Sequence, residues 1–148
     1  MHAKGFTLLE LMVVMALIGI LGAIGTPKLM SYQRSVALKE ARNQVVQTLR
    51  NASGRAIIDS ASQTVTFSLN QGGGADLSVA AGGVTNSTIK LERDAAISAV
   101  TSNGTNVTTV IFDVRGRPNN SAPLLITTVL SDQSGQVRLL PTGKTVIK

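Results

Sequence analysis

The sequence predicts an α+β chain, with a long amino-terminal helix that is apolar on every side in its first half and an antiparallel β head behind it. Three patterns carry that prediction. An uncharged apolar run extends from Leu11 to Gly25, after Lys28 apolar residues recur every three or four positions, and past Gln63 they recur every two.

Phe6 to Gly25 is 20 residues long with one charge, and at about 1.5 Å per helical residue it reaches roughly 30 Å, the thickness of one hydrocarbon core. It is long enough to span a membrane. The single charge is Glu10, and an acid inside such a segment costs about 2.5–3.5 kcal/mol on insertion scales unless it is interfacial, neutral or paired. Glu10 therefore needs a partner. Cleavage after Gly5 would put a new α-amine on Phe6, four residues before Glu10 and on the same helical face. That amine could pair with its own Glu10 or with the Glu10 of a staggered neighbour. A secretory signal peptide fits less well, because the apolar run follows the short leader and flows into a long amphipathic pattern. An ordinary single-pass anchor, with Glu10 favouring the helix dipole, is the plainer alternative.

Pro27 closes the apolar run. Within a continuing helix it removes one backbone hydrogen bond, and Gly22 and Gly25 weaken the preceding turn, so a kink is expected there. Beyond it, Leu38, Ala41, Val45, Leu49, Ala52 and Ala56 form a stripe of helical period, with Lys39, Arg42, Gln47 and Arg50 expected on a solvated face. The helix should run to about Ile58 and leave through Asp59–Gln63. Val65, Phe67 and Leu69 then alternate with polar residues as a half-buried strand. Further strands are expected around Leu77 and Val79, around Ile89 and Leu91, from Val107 to Asp113, and as a hairpin of Leu124–Ser131 and Gln136–Leu140 around Asp132–Gly135. Lys144–Lys148 is a candidate edge strand, and Gly72–Gly74, Gly82–Gly83 and Asn103–Gly104 mark turns. The expected division is a leader over 1–5, a membrane and assembly helix over 6–27, its amphipathic half over 28–59 and a globular head over 60–148.

At 148 residues the chain holds one modest domain besides the apolar helix, and it has no cysteine, so no disulfide staples it. The formal charge of +6 is unevenly spread. Residues 28–59 are net +4, residues 60–113 net −2 and residues 114–148 net +4, so an anionic partner should meet the helix or the last third. Positive charges after the apolar run outnumber those before it, and counting them does not favour a cytoplasmic amino terminus.

Groups for catalysis are nearly absent. The one histidine, His2, lies in the leader, and without cysteine the zinc, Cys-His and Ser-His-Asp sites all lack an essential member. Gly143-Lys144-Thr145 imitates the end of a phosphate-binding loop, but Arg138 stands where that motif begins with glycine. Asp113 and Asp132 would have to meet in space to bind calcium, and neither has the closely spaced oxygen ligands around it. No enzyme, no cofactor and no metal site is expected. Five Asn-x-Ser/Thr triplets, at Asn51, Asn86, Asn103, Asn106 and Asn119, are what a Ser/Thr/Asn-rich chain produces by chance.

The string Lys4-Gly5-Phe6-Thr7-Leu8-Leu9-Glu10-Leu11-Met12-Val13-Val14 resembles the processing and assembly segment of type IV prepilins and type II secretion pseudopilins. The resemblance implies the pilin fold, with a long bent helix, cleavage by a prepilin peptidase between Gly5 and Phe6, and N-methylation of Phe6. It implies that Glu10 recruits the Phe6 terminus of an adjacent subunit, and that Pro27 bends the helix as a proline does at the matching place in the family. It further implies a single pass of the inner membrane with a periplasmic head, then a filament at the cell envelope built with other pilin or pseudopilin subunits. A second resemblance covers Ile111-Phe112-Asp113-Val114-Arg115-Gly116-Arg117-Pro118 and Pro141-Thr142-Gly143-Lys144, similar to the H-type minor pseudopilins and the FimT-like minor pilins. A structural, minor subunit is the leading expectation, and a major pilin or a DNA-binding minor pilin are the alternatives. Some FimT-like pilins bind DNA through a Gly-Arg-x-Arg segment, which reads Gly143-Lys144-Thr145-Val146 here, with a lysine first and the second base lost. Arg115, Arg117, Arg138, Lys144 and Lys148 are the candidate DNA or anion contacts. The turn itself also has a plain physical account: Gly116 for a positive φ, Asp113 accepting backbone N–H groups, Pro118 ending strand pairing.

Overall fold

The computed structural model describes residues 6–69, 75–91 and 95–147, with the side chains of 24–27 outside that set. One helix, α1, runs Leu8–Ile58 and is followed by nine strands. Position 27 falls within the helical span, but the bend expected at Pro27 depends on a side chain outside the described ones. Contacts divide the chain into one unit up to Gln33 and another from Arg34 onward.

In the first unit every described side chain of the helix is exposed. Every large apolar side chain from Phe6 to Leu21 is exposed, and the least exposed of them, Val14, is still 44% accessible. Its apolar window has a mean hydropathy of 2.4 and none of it is buried, so the segment is long and apolar enough to cross a membrane.

In the second unit the helical stripe does what its period predicts. Leu38, Ala41, Val45, Leu49, Ala52 and Ala56 are all buried, and the three alanines let the sheets approach the helix closely. Against this stripe lie two antiparallel sheets. In the first the order is β3 (Val84–Lys90), β2 (Asp76–Ala81), β1 (Gln63–Phe67) and β6 (Thr109–Phe112). In the second it is β5 (Thr105–Asn106), β4 (Ala96–Ser102), β7 (Leu124–Leu130), β8 (Gln133–Leu139) and β9 (Thr145–Ile147). Phe67, Leu77 and Phe112 from the first sheet and Ile97, Ile126 and Leu139 from the second join Val45 and Leu49 in one core. Burying a Leu or Phe side chain is worth about 1.5–3 kcal/mol, so this core is what holds the two sheets to the helix.

Several details depart from the sequence prediction. The head is two sheets, and β4 has no counterpart among the predicted strands; its Ala96-Ile97-Ser98-Ala99-Val100 stretch mixes small and polar residues and masks the alternation. The β7–β8 hairpin turns earlier than expected, through Ser131 and Asp132, because Leu130 pairs directly with Gln133 and Ser131 takes a positive φ of 57°. Asn103 and Gly104 form the two-residue loop joining β4 to β5, both with φ above zero, the geometry that Asn-Gly favours in hairpins. Arg42, expected in solvent, is half-buried. Its guanidinium lies over Gly135, where a Cβ would come within 3.0 Å of Arg42 Cζ. The predicted Gly72–Gly74 turn lies outside the described residues.

Candidate functional site

Two places on the chain gather the predicted site residues. The first is the start of α1. Thr7 is the cap: its hydroxyl oxygen accepts the Glu10 backbone N–H at 3.2 Å, and Glu10 Oε2 accepts both the Thr7 backbone N–H and the Thr7 hydroxyl at 3.3 Å. This reciprocal arrangement is a capping box, which satisfies backbone donors that a helix start otherwise leaves open. Glu10, expected to seek the Phe6 amine, thus has a partner of its own three residues away. The signal was present in the sequence as Thr7-Leu8-Leu9-Glu10, a threonine followed three positions later by a glutamate. Phe6 is 83% exposed, and Gly5 lies outside the described residues.

The second place is the far end of the head, where three pieces of chain meet. The turn after β6 is organised by Asp113, whose Oδ1 accepts the backbone N–H of Arg115 at 2.9 Å and of Arg117 at 2.8 Å. Gly116, with φ of 72°, closes the turn through its N–H to the Asp113 carbonyl at 2.8 Å. Its own carbonyl accepts the Ser53 hydroxyl of α1 at 2.7 Å. A Cβ on Gly116 would lie 2.8 Å from both Ile57 Cδ1 and Ser53 Oγ, so positive φ and close approach both call for glycine. The roles predicted for Asp113 and Gly116 hold. Pro118 does not end pairing: it sits opposite Phe112, and the flanking bonds Asp113 N–H to Arg117 O and Asn119 N–H to Ile111 O never require an N–H from proline.

The Pro141–Lys144 turn abuts this one, since a side chain on Gly143 would come within 3.3 Å of the Gly116 carbonyl. Lys144 stands across from Leu140, whose N–H bonds to the Lys144 carbonyl at 2.9 Å. That register puts Lys144 on the face of the second sheet that Arg138 occupies, opposite the buried Val137 and Leu139. The predicted basic set is therefore divided. Arg115 and Arg117 project from the Asp113 turn, Arg138 and Lys144 lie on the outer sheet face, and Lys148 lies outside the described residues. Among the described residues neither Arg115 nor Arg117 has a side-chain hydrogen bond or ion pair. Arg55, one turn before the helix ends, and Arg50, whose Nε donates to Thr145 Oγ1 at 3.2 Å, add bases to the same end. Arg50 is exposed, as its place on the helix predicts, and its link to the last strand leaves no mark in the sequence because nothing local pairs α1 with β9.

The other charges serve the opposite end of the head. Arg34 and Asp132 form an ion pair at 3.5 Å, and the Ser35 hydroxyl donates to Gln133 Oε1 at 3.1 Å, fastening the β7–β8 tip to the helix. Asp132 is thus held near Arg34 while Asp113 is held near Ser53, roughly 28 Å further along α1 at about 1.5 Å per residue. The two acids cannot share a calcium ion. No group of three or more His, Cys, Asp or Glu side chains able to hold a metal occurs among the described residues.

Comparison with known proteins follows the same division. Residues 1–26 match a prokaryotic N-terminal methylation motif. Two fimbrial proteins of Pseudomonas aeruginosa are each 43% identical over 56 residues, 38% of this chain and 36% of their own length, so the chain matches about a third of those relatives. Two crystal forms of the Pseudomonas aeruginosa type IV minor pilin FimU share the fold, with TM-scores of 0.59 and 0.56 at 12% identity. They cover 79% and 75% of this chain and 92% of FimU in each form.

Proposed function

We propose that this chain, a member of the type IV pilin superfamily by its amino-terminal motif and its minor-pilin-like fold, is a minor structural subunit of a type IV pilus, cleaved after Gly5, methylated on Phe6 and packed into the filament through α1. The observation that carries the reading is the pairing of an apolar helical stretch, exposed at every described residue from Phe6 to Ala23, with a carboxylate one turn from the proposed cleavage position. Such a helix is stable in lipid or among its own kind, and nowhere else. In this reading the helix first anchors the chain in the inner membrane with the head outside the cytoplasm. It then leaves the bilayer when Glu10 exchanges its Thr7 donors for the Phe6 ammonium of a neighbouring subunit. A type II secretion pseudopilus would use the same parts, and the FimU-like fold favours the pilus.

Sheared filaments provide the test. The amino-terminal peptide of this chain recovered from them should begin at a methylated Phe6, and recovery of the peptide with Met1–Gly5 intact would overturn the proposal.

DNA uptake is the second reading, favoured by the open Arg115 and Arg117 guanidiniums beside the Lys144 turn. Three features weigh against it. The Asp113 carboxylate is held on the backbone N–H groups of both arginines, which keeps a negative charge in the same turn, Arg138 faces another surface, and Phe67 and Phe112 are buried and offer no stacking platform. A mobility-shift titration of the full chain in detergent should show no binding that depends on Arg115 and Arg117 at low salt. Binding that steepens as salt falls and disappears in an Arg115→Ala, Arg117→Ala variant would reinstate DNA.

A further inference from the structure

Between α1 and the first sheet the head has a cavity of about 70 Å³. Its floor is apolar. Ala52 and Val79 are 1% and 6% exposed, Ile89 closes one side, and the buried Thr48 donates its hydroxyl proton to the Gln44 carbonyl at 2.8 Å. Its rim is polar and exposed. Asn51 and Arg55 stand one helical turn apart on the same face of α1, and Ser87 faces them from β3 because it pairs with the buried Val79. None of these three side chains has a hydrogen bond or ion pair among the described residues, and Asp59, a further turn along α1, forms none with Arg55. One water takes up roughly 30 Å³ in the liquid, so the space suits a group of acetate or propionate size.

We propose that this cavity binds a short-chain carboxylate, tail inward and carboxylate at the rim. The Arg55 guanidinium donates in a fork to both oxygens, the Asn51 amide and the Ser87 hydroxyl add donors, and the tail leaves water for Ala52, Val79 and Ile89. Two other occupants fail on their chemistry. A phosphate dianion would meet a single base above an apolar floor, which leaves charge unpaired. An acidic side chain of another protein is tethered by its tail, so it would enter carboxylate first and set its charge on that floor. The site is independent of the filament reading, since it uses neither the apolar part of α1 nor the Asp113 turn.

The test takes the full chain in detergent and titrates sodium propionate against sodium chloride at constant ionic strength, following the Arg55 Nε–H and the Asn51 side-chain amide by NMR. Both signals should shift saturably with a midpoint on the order of 1 mM, as suits a ligand of about five heavy atoms, while the Arg117 Nε–H stays in place. Arg55→Gln, at an exposed helical position, should weaken binding about tenfold or more through loss of the charge-assisted pair. Ser87→Ile, which fills the mouth from an exposed strand position, should abolish it. No saturable shift up to about 50 mM, an equal shift at Arg117, or binding indifferent to Arg55→Gln would each overturn the assignment. So would inorganic phosphate or N-acetyl-aspartyl amide binding as tightly as propionate.

Discussion

The two halves of α1 obey the same backbone rules and are held in opposite ways. From Arg34 to Ile58 the helix has one apolar stripe, and that stripe is consumed by the chain's own sheets. From Leu8 to Leu21 it is apolar all round, and none of the described residues covers it. The contrast teaches that the first half is specified by its surroundings and the second by the sheets of its own chain. A helix without internal contacts still needs its ends satisfied, and the Thr7–Glu10 box is the local contribution to that need.

The contrast can be tested by substitution, beginning with the largest effect. Glu10→Gln should leave the level of the chain in membranes unchanged while lowering its recovery in sheared filaments by about a hundredfold. Removing one member of a buried ion pair costs about 3–5 kcal/mol. Equal recovery of variant and parent would separate Glu10 from assembly. In the other half, Leu49→Ala should lower the stability of the full chain in detergent by about 2–5 kcal/mol in denaturant titration, because its cavity opens in the centre of the core. Gly116→Ala should cost about 2 kcal/mol or somewhat more, from left-handed strain and from contact with Ser53 and Ile57, again read by denaturant midpoint. Thr7→Ala should remove about 1 kcal/mol from the helix start and show as faster amide exchange confined to the first turn. Asp132→Ala, which breaks an ion pair whose members are 45% and 73% exposed, should change stability by less than about 0.5 kcal/mol. A larger loss there would mean that the β7–β8 tip carries more of the head's stability than its contacts indicate.

Periodicity made much of the fold readable in advance. The stripe from Leu38 to Ala56 is a pattern within one element, and so is the alternation of Val65 and Phe67; both came through as predicted. What the sequence hid depends on partners far apart in the chain. The split into two sheets follows from β1 pairing with β6 across more than forty residues and β4 pairing with β7, neither of which leaves a local mark. The same holds at the two sites. The Asp113 turn was readable because Asp113, Gly116 and the N–H groups that donate to Asp113 lie within five residues. Its attachment to Ser53, the half-buried seat of Arg42 over Gly135 and the division of the basic residues between two surfaces were not.

Strand β3 has a consequence of its own. All seven of its residues are solvent-accessible, it borders its sheet, it contains no proline, and its one charge is Lys90 at the very end. Proteins commonly guard such a margin, because bare peptide rungs recruit matching rungs from other molecules. Concentrated samples of this protein held in detergent, with α1 covered, should accordingly thicken or cloud with time through ladder growth, and a proline placed at Asn86 should keep them clear.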